Sequence, residues 1–224
     1  MVAKFEFPET PPWLYIPVNV NLSLTETKKE DTNPDYFLSK YREIKEIHEG
    51  YEFIYTDGSH INNKSAAAAV KDDHVYSERL PDYSTIFTAE MYAIFMALDH
   101  VETSENSRFL IFSDSKSVLQ SLQSKDWKNP LVQKVLERHH WLRNQHKQIK
   151  FCWIPSHIGI DGNEAADIAA KEALGKRKTD LAIPHTDYKT QIKSYVRVKW
   201  QQRWDQCVYN RLHCIQPNLG NWKF

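Results

Sequence analysis

The chain has 224 residues, 41% hydrophobic and 26% charged, which suits one medium domain with its own core plus extensions. No window approaches the uninterrupted apolar length of a membrane span, the start MVAKFEFPETPPW lacks the apolar stretch of a secretory signal, and three cysteines do not make a disulfide framework. The net charge of zero hides an asymmetry: from Lys176 onward 10 Lys/Arg face 3 Asp/Glu, giving +7, while residues 1–175 carry 19 against 26, giving −7. An intracellular, reducing location, cytoplasmic or nuclear, with no membrane partner is expected. A basic tail suggests an anionic partner and an acidic body a carboxylate-rich site, with attraction between the two as the plainer alternative.

Residues 1–34, with PETPPW and TKKEDTNPD, read as an extended lead-in. Phe37, Tyr41, Ile44 and Ile47 then recur near helical spacing and Gly50 supplies a stop, predicting a short amphipathic helix over 35–50. YEFIYT, SAAAAVKDD and HVYSERL read as three antiparallel strands, with Asp72-Asp73 in a hairpin turn. TAEMYAIFMALDHV reads as a helix with Ile94, Ala97 and Val101 on one face, RFLIFS as a buried strand and SKSVLQSLQ as a helix. PLVQKVLERHHWLRNQH follows as a longer helix opened by Pro130, then QIKFCWIP as a strand. GNEAADIAAKEAL is the last helix of the series, with Asp161 and Glu164 placed as a capping box. This order predicts an α/β fold: a mixed five-stranded sheet, three antiparallel strands and then two parallel ones joined by right-handed crossovers, flanked by helices. The expected divisions are a lead-in and short helix over 1–49, the domain over 50–175 and a basic aromatic extension over 176–224.

Four acidic residues share a positional logic. Asp57 follows the first domain strand and Asp114 follows RFLIFS, so both sit at carboxyl ends of central strands, where open α/β sheets bind ligands. Glu90 lies in the first turn of its helix on the stripe of Ala93, Ile94, Ala97 and Val101, and Asp167 shares a face with Ala170 and Leu174. Taken singly, each has a plainer role: turn former, helix-start residue or partner of a buried base. Taken together, four converging carboxylates repel one another and have raised pKa values unless cations neutralise them. Oxygen-only ligands suit Mg²⁺ or Mn²⁺ rather than zinc, and Mg²⁺ commonly completes its shell with substrate phosphates and water, which implies phosphate-ester chemistry.

TDGS at 56–59, AEMYAI at 89–94, FSDSKSV at 112–118 and WIPSHIGIDGNEAAD at 153–167 resemble the type I ribonuclease H domain, in the style found at the ends of non-LTR retrotransposon polyproteins. The resemblance spans about residues 50–175 and implies a ribonuclease H-like fold. It also implies hydrolysis of the RNA strand of an RNA/DNA hybrid with two Mg²⁺ ions, Mn²⁺ substituting. Asp57, Glu90, Asp114 and Asp167 match the metal-binding carboxylates of the family, with Asp57 bridging the ions, and His157 matches its loop histidine, which aids proton transfer or product release. Asn63, Thr85 and Glu90 match positions that contact the hybrid, although Asn62 and Asn63 also read as plain hairpin-turn residues. A reverse transcriptase region of the same element is an expected partner. Two departures stand out: SKDWKNP replaces the basic helical protrusion of cellular relatives, and NNKSAAAAV lacks their glycine-rich stretch.

In the tail, Lys189, Lys193, Arg197, Lys199 and Arg203 interleave with Tyr188, Tyr195, Trp200 and Trp204, which suits phosphate contact and base stacking. The plainer reading is a helix packing Ile192, Val196 and Trp200 on the body. Cys207, His213 and Cys214 lack zinc-knuckle spacing. Two rival functions remain: a catalytically silent retroelement-derived nucleic-acid-binding module, against which all four carboxylates speak, and a transposase of the same fold, in which the glutamate comes last rather than between the two strand aspartates.

Overall fold

The computed structural model describes residues 2–3, 10–126 and 128–220. Parts of the lead-in (1 and 4–9), of the SKDWKNP link (127) and of the tail (221–224) lie outside the described residues. In chain order the elements are β1 (Val2–Ala3), β2 (Asn19–Asn21), α1 (Pro34–Ile47), β3 (Glu52–Ile61), β4 (Lys64–Lys71), β5 (His74–Arg79), α2 (Ile86–Thr103), β6 (Arg108–Ser113), α3 (Lys116–Ser124), α4 (Pro130–Asn144), β7 (Gln148–Trp153), α5 (Asp161–Ala173), β8 (Ile183–Pro184), α6 (His185–Asp205) and α7 (Arg211–Ile215). They divide into two units, Met1–Pro184 and His185–Phe224.

The main sheet of the first unit runs β2-β7-β6-β3-β4-β5. Strands β3, β4 and β5 pair antiparallel, and β6 joins β3, β7 joins β6 and β2 joins β7 in parallel. The sheet therefore has six strands rather than the five predicted. The sixth, β2, comes from the lead-in and pairs Asn19, Val20 and Asn21 with Lys150, Phe151 and Cys152. Three residues are too few to set up a period-2 pattern, which is why the sequence hides it. The two-residue strands β1 and β8 pair separately, in parallel.

Alternation along the central strands sorts side chains to two faces. Ile54, Ala67, Ala69, Phe109, Ile111 and Phe151 pack with α2, α3 and α4. Tyr55, Ala68, Val70, Leu110, Phe112 and Cys152 pack with α1 and α5. Each large side chain buried in this way contributes about 1.5–3 kcal/mol. The four alanines of β4 are fully buried, and their small side chains let helices approach both faces closely. The predicted stripe Ile94, Ala97 and Val101 is fully buried in α2, whereas in α1 Phe37 and Ile44 are buried and Ile47 is 71% exposed. Gly50, with φ +77°, turns the chain from α1 into β3.

Both hairpins close on two-residue turns: Asn62 and Asn63 have φ +50° and +61°, and Asp72 has φ +50°. Asn and Asp tolerate this left-handed region, which matches strand twist. At α5 the expected capping box does not form. Ile160 is the N-cap with no side-chain cap bond, and Asp161 already lies inside the helix.

In the second unit, α6 supplies the predicted helix and carries a return segment. Trp204 Nε1 donates to the Gln216 carbonyl at 2.7 Å, Gln201 to that of Pro217 at 2.8 Å and Arg197 to that of Leu219 at 2.9 Å. Ile192, Val196 and Trp200 are each more than half exposed.

Candidate active site

The parallel register of β3 on β6 ends at Thr56 opposite Ser113. Asp57 does not follow its strand as expected but lies inside β3, which runs on against β4 to Ile61, and it sits beside Asp114, the first residue after β6. Glu90 reaches them because the next residue after Asp57 is Gly58. A Cβ there would lie 2.6 Å from the Glu90 amide nitrogen, so any side chain would drive the first turns of α2 off the sheet. The Gly58 N–H donates toward the carboxylates of both Asp57 and Glu90. Oxygens of Asp57, Glu90 and Asp114 thereby lie within 4.8 Å of one another.

Asp57 is 6% exposed and Glu90 7%. Burial first, then the charges of Asp114 and Asp167, pushes the Asp57 carboxyl up to about 8. Glu90 is raised well above the usual carboxylate range by burial and then by Asp57 and Asp114. Burial also raises Asp114, but a hydrogen bond from Asn163 and the nearby charge of His157 act against it. Among the described residues, no lysine or arginine forms an ion pair with these three carboxylates.

Asp167 arrives from α5 and lies beside Asp57. Its carboxylate accepts from Lys171 one turn on, at 2.7 Å. His157 projects from the loop between β7 and α5, with φ +51° and a 62% exposed side chain, its Nδ1 3.6 Å from Glu164. His157, Glu164 and Asp167 form a second close group of potential ligands. The five residues expected to be catalytic therefore gather at one end of the sheet, with Asp57 and Glu90 buried, Asp114 half-buried beside them, and Asp167 and His157 as a more solvated pair. The two expected substrate contacts sit in local structural roles: Asn63 in the β3–β4 turn, and Thr85 as N-cap of α2, accepting from the Thr88 N–H.

Asn163 was not foreseen. It is 2% exposed, bonds Asp114 and leaves its Oδ1 buried without a hydrogen-bond partner among the described residues. Its spacing was the available signal, since Asn163 stands one turn before Asp167 on the same face of α5. Glu90 Oε2 is likewise buried and unpartnered. Buried acceptors without donors, crowded carboxylates and an all-oxygen trio fit a hard divalent cation.

Residues 49–175 match the family described as RNase H. Over 127 residues the chain is 33% identical to the Pol polyprotein of equine infectious anemia virus, isolates 1369 and CL22, covering 53% of this chain and 10% of each viral protein. Against the Wyoming strain it is 32% identical over 125 residues. The chain thus spans about a tenth of the length of these curated relatives. Among solved structures, RNase H1 from the halophilic archaeon Halobacterium salinarum NRC-1 is similar at TM-score 0.45 and 22% identity, over 56% of this chain and 98% of that one.

Proposed function

The chain belongs to the ribonuclease H family, and on that premise we propose that it is an endonuclease that hydrolyses the RNA strand of RNA/DNA hybrids with two Mg²⁺ ions, Mn²⁺ substituting. The observation that carries the reading is the trio Asp57, Glu90 and Asp114, the first two buried and the third half-buried, with no lysine or arginine paired to it among the described residues. Such a trio is costly in an empty fold and apt for divalent ions. Asp57, central to the group, would contact both ions, with Glu90, Asp114 and Asp167 completing their shells. Bound there, the ions supply activation of the attacking water and stabilisation of the charge that develops on the departing oxygen.

The chain's own residues do the rest. Gly58 and Asn163 hold three of the carboxylates in place through their donors. Lys171 holds the Asp167 carboxylate through a hydrogen bond of 2.7 Å. His157, with its side chain 62% exposed, is placed to accept a proton at the rim and pass it to bulk water. In the reaction a water oxygen bonds to phosphorus, the P–O3′ bond breaks, and the products carry a 5′-phosphate and a 3′-hydroxyl. Hybrids arise where DNA is copied from RNA, so a reverse transcriptase region of the same element, within the cytoplasm or nucleus, is the partner this activity implies.

The test is cleavage of a labelled RNA/DNA hybrid in Mg²⁺ and in Mn²⁺, beside single-stranded RNA and duplex DNA, with Asp114→Asn as control. Hybrid-only cleavage that the variant lacks is expected. Folded protein that cuts nothing in either metal would overturn the reading in favour of a silent binding module.

A further inference from the structure

The loop that carries His157 is fastened from outside the family match. Its flanking residues Ile154, Ile158 and Ile160 are 0%, 7% and 2% exposed, and they are buried in one cluster with Leu24, Phe37 and Ile44. Those three belong to the segment before residue 49, where the match begins. Lys29, in a 3₁₀ turn of that segment, donates from Nζ to the Ser156 carbonyl at 2.6 Å, one residue before His157. Strand β2, from the same segment, pairs along β7 up to Cys152, just before the loop starts. Beneath the loop's far end, Gly162 rests on the Tyr55 ring so closely that a Cβ would lie 2.4 Å from it. The Tyr55 hydroxyl in turn meets that of Tyr41, from α1, at 2.5 Å.

Three elements of the N-terminal segment thus converge on one short stretch whose central residue has a positive φ that a non-glycine residue adopts only at a cost. A stretch with Gly159 inside it and Gly162 just beyond it, in the first turn of α5, has other backbone conformations open to it unless it is anchored. We infer that the N-terminal segment, through Lys29 and the Phe37 cluster, positions the His157 loop over the carboxylates. This deepens the hydrolytic role proposed above and rests on it: Lys29 acts through His157 and not on the substrate.

The experiment uses the full chain. Lys29→Ala, Lys29→Arg, Phe37→Leu, His157→Ala and the Lys29→Ala/His157→Ala double variant are compared for kcat and KM on the hybrid, and for amide exchange of residues 154–160. Lys29→Ala is expected to lower kcat roughly threefold to tenfold, the equivalent of one net hydrogen bond, with KM unchanged. Lys29→Arg should restore the rate, and the loss should vanish in the His157→Ala background. Phe37→Leu, which takes ring volume out of the cluster while keeping it apolar, should speed exchange at 154–160 while amides of β3 to β5 stay as they were. An unchanged kcat in Lys29→Ala, or a loss of equal size with and without His157, overturns the inference. If the unaltered protein cuts no hybrid, the functional reading fails by itself. The exchange measurement then decides the positioning: faster loop exchange in Lys29→Ala and Phe37→Leu upholds it, and unchanged exchange overturns it.

Discussion

The two halves of the site are built on opposite electrostatic terms. Asp57 and Glu90 are buried, crowded and unpaired with any base among the described residues, while Asp167 and His157 meet solvent and have counter-charges in Lys171 and Glu164. The first half is costly by itself, since burial and neighbouring carboxylates both oppose its ionisation. The second is satisfied as it stands. On the function proposed above, such a fold would divide metal ligation in the interior from proton handling at the rim, and substitutions on the two sides should fail in different ways.

The largest effects belong to the buried half. Asp57→Asn should lower hybrid cleavage by about 10³-fold or more, in the range lost when a charge-stabilising group is removed from an active site. The same change should make the metal-free protein more stable, on the order of 2 kcal/mol at neutral pH, because it removes a carboxyl that burial first, and then its carboxylate neighbours, keep from ionising in the folded state. The sign follows from the raised carboxyl. With a folded value of about 8 against an ordinary 3.8, Asp57 favours the folded state fully below about pH 4 and loses that contribution as pH climbs to about 8. Thermal unfolding of metal-free protein from pH 4 to 8, compared with Asp57→Asn, should therefore show a steeper decline in the native sequence, with the part that persists in the variant coming from Glu90 and Asp114. Added Mg²⁺ should reverse the decline, since it binds the ionised form. A parallel decline in both proteins would remove Asp57 as its source.

Gly58→Ala tests whether the buried half depends on contact between α2 and β3. The added Cβ meets the Glu90 backbone nitrogen at 2.6 Å, and backbone has little freedom to yield. A destabilisation of about 1–3 kcal/mol is expected, together with loss of cleavage in molecules that remain folded. A folded, fully active variant would show that Glu90 can be carried elsewhere without cost.

Asn163→Ala and His157→Ala should separate the halves further. Asn163 serves the buried half through Asp114, so its removal should lower kcat about tenfold, as for one charge-assisted hydrogen bond, and weaken Mn²⁺ binding measured by calorimetry. His157→Ala should lower kcat by about tenfold to a hundredfold and leave Mn²⁺ affinity unchanged. Equal effects on metal affinity would mean that the loop histidine belongs to the ligand set after all.

What the sequence discloses about these halves differs for physical reasons. Asp57 and Asp114 are legible because each ends an apolar run, and a charge after a buried strand is a local irregularity. Glu90 is legible because it breaks an otherwise apolar helical stripe. Asn163 carries no such mark: an asparagine in a helix's first turn is ordinary, and only closure of α5 onto the sheet brings it to Asp114. Gly58 reads as a turn residue beside Asp57, although it lies inside β3 and its importance comes from a helix some 30 positions later. Strand β2 and Lys29 are hidden for the same reason. Their partners, Phe151 and the Ser156 carbonyl, are more than 120 residues away, and neither a three-residue strand nor a single lysine has a period to read.

The smallest effect is expected from Lys171→Ala, on the solvated side. The pair with Asp167 is well formed at 2.7 Å, but Lys171 is half exposed, and exposed pairs one turn apart on a helix contribute less than about 1 kcal/mol. Its loss should therefore change the melting temperature little. Asp167 without its lysine still faces solvent and keeps its place on α5 beside Asp57, so kcat should stay within about threefold of the unaltered value. The informative quantity is the dependence on divalent-ion concentration. Lys171 holds Asp167 with a positive charge that an incoming cation must displace, so Lys171→Ala should lower the Mg²⁺ concentration needed for half-maximal cleavage. A rise in that concentration would mean that Lys171 orients Asp167 for the ion instead of competing with it, and the counter-charge on this side of the site would then serve geometry in place of neutralisation.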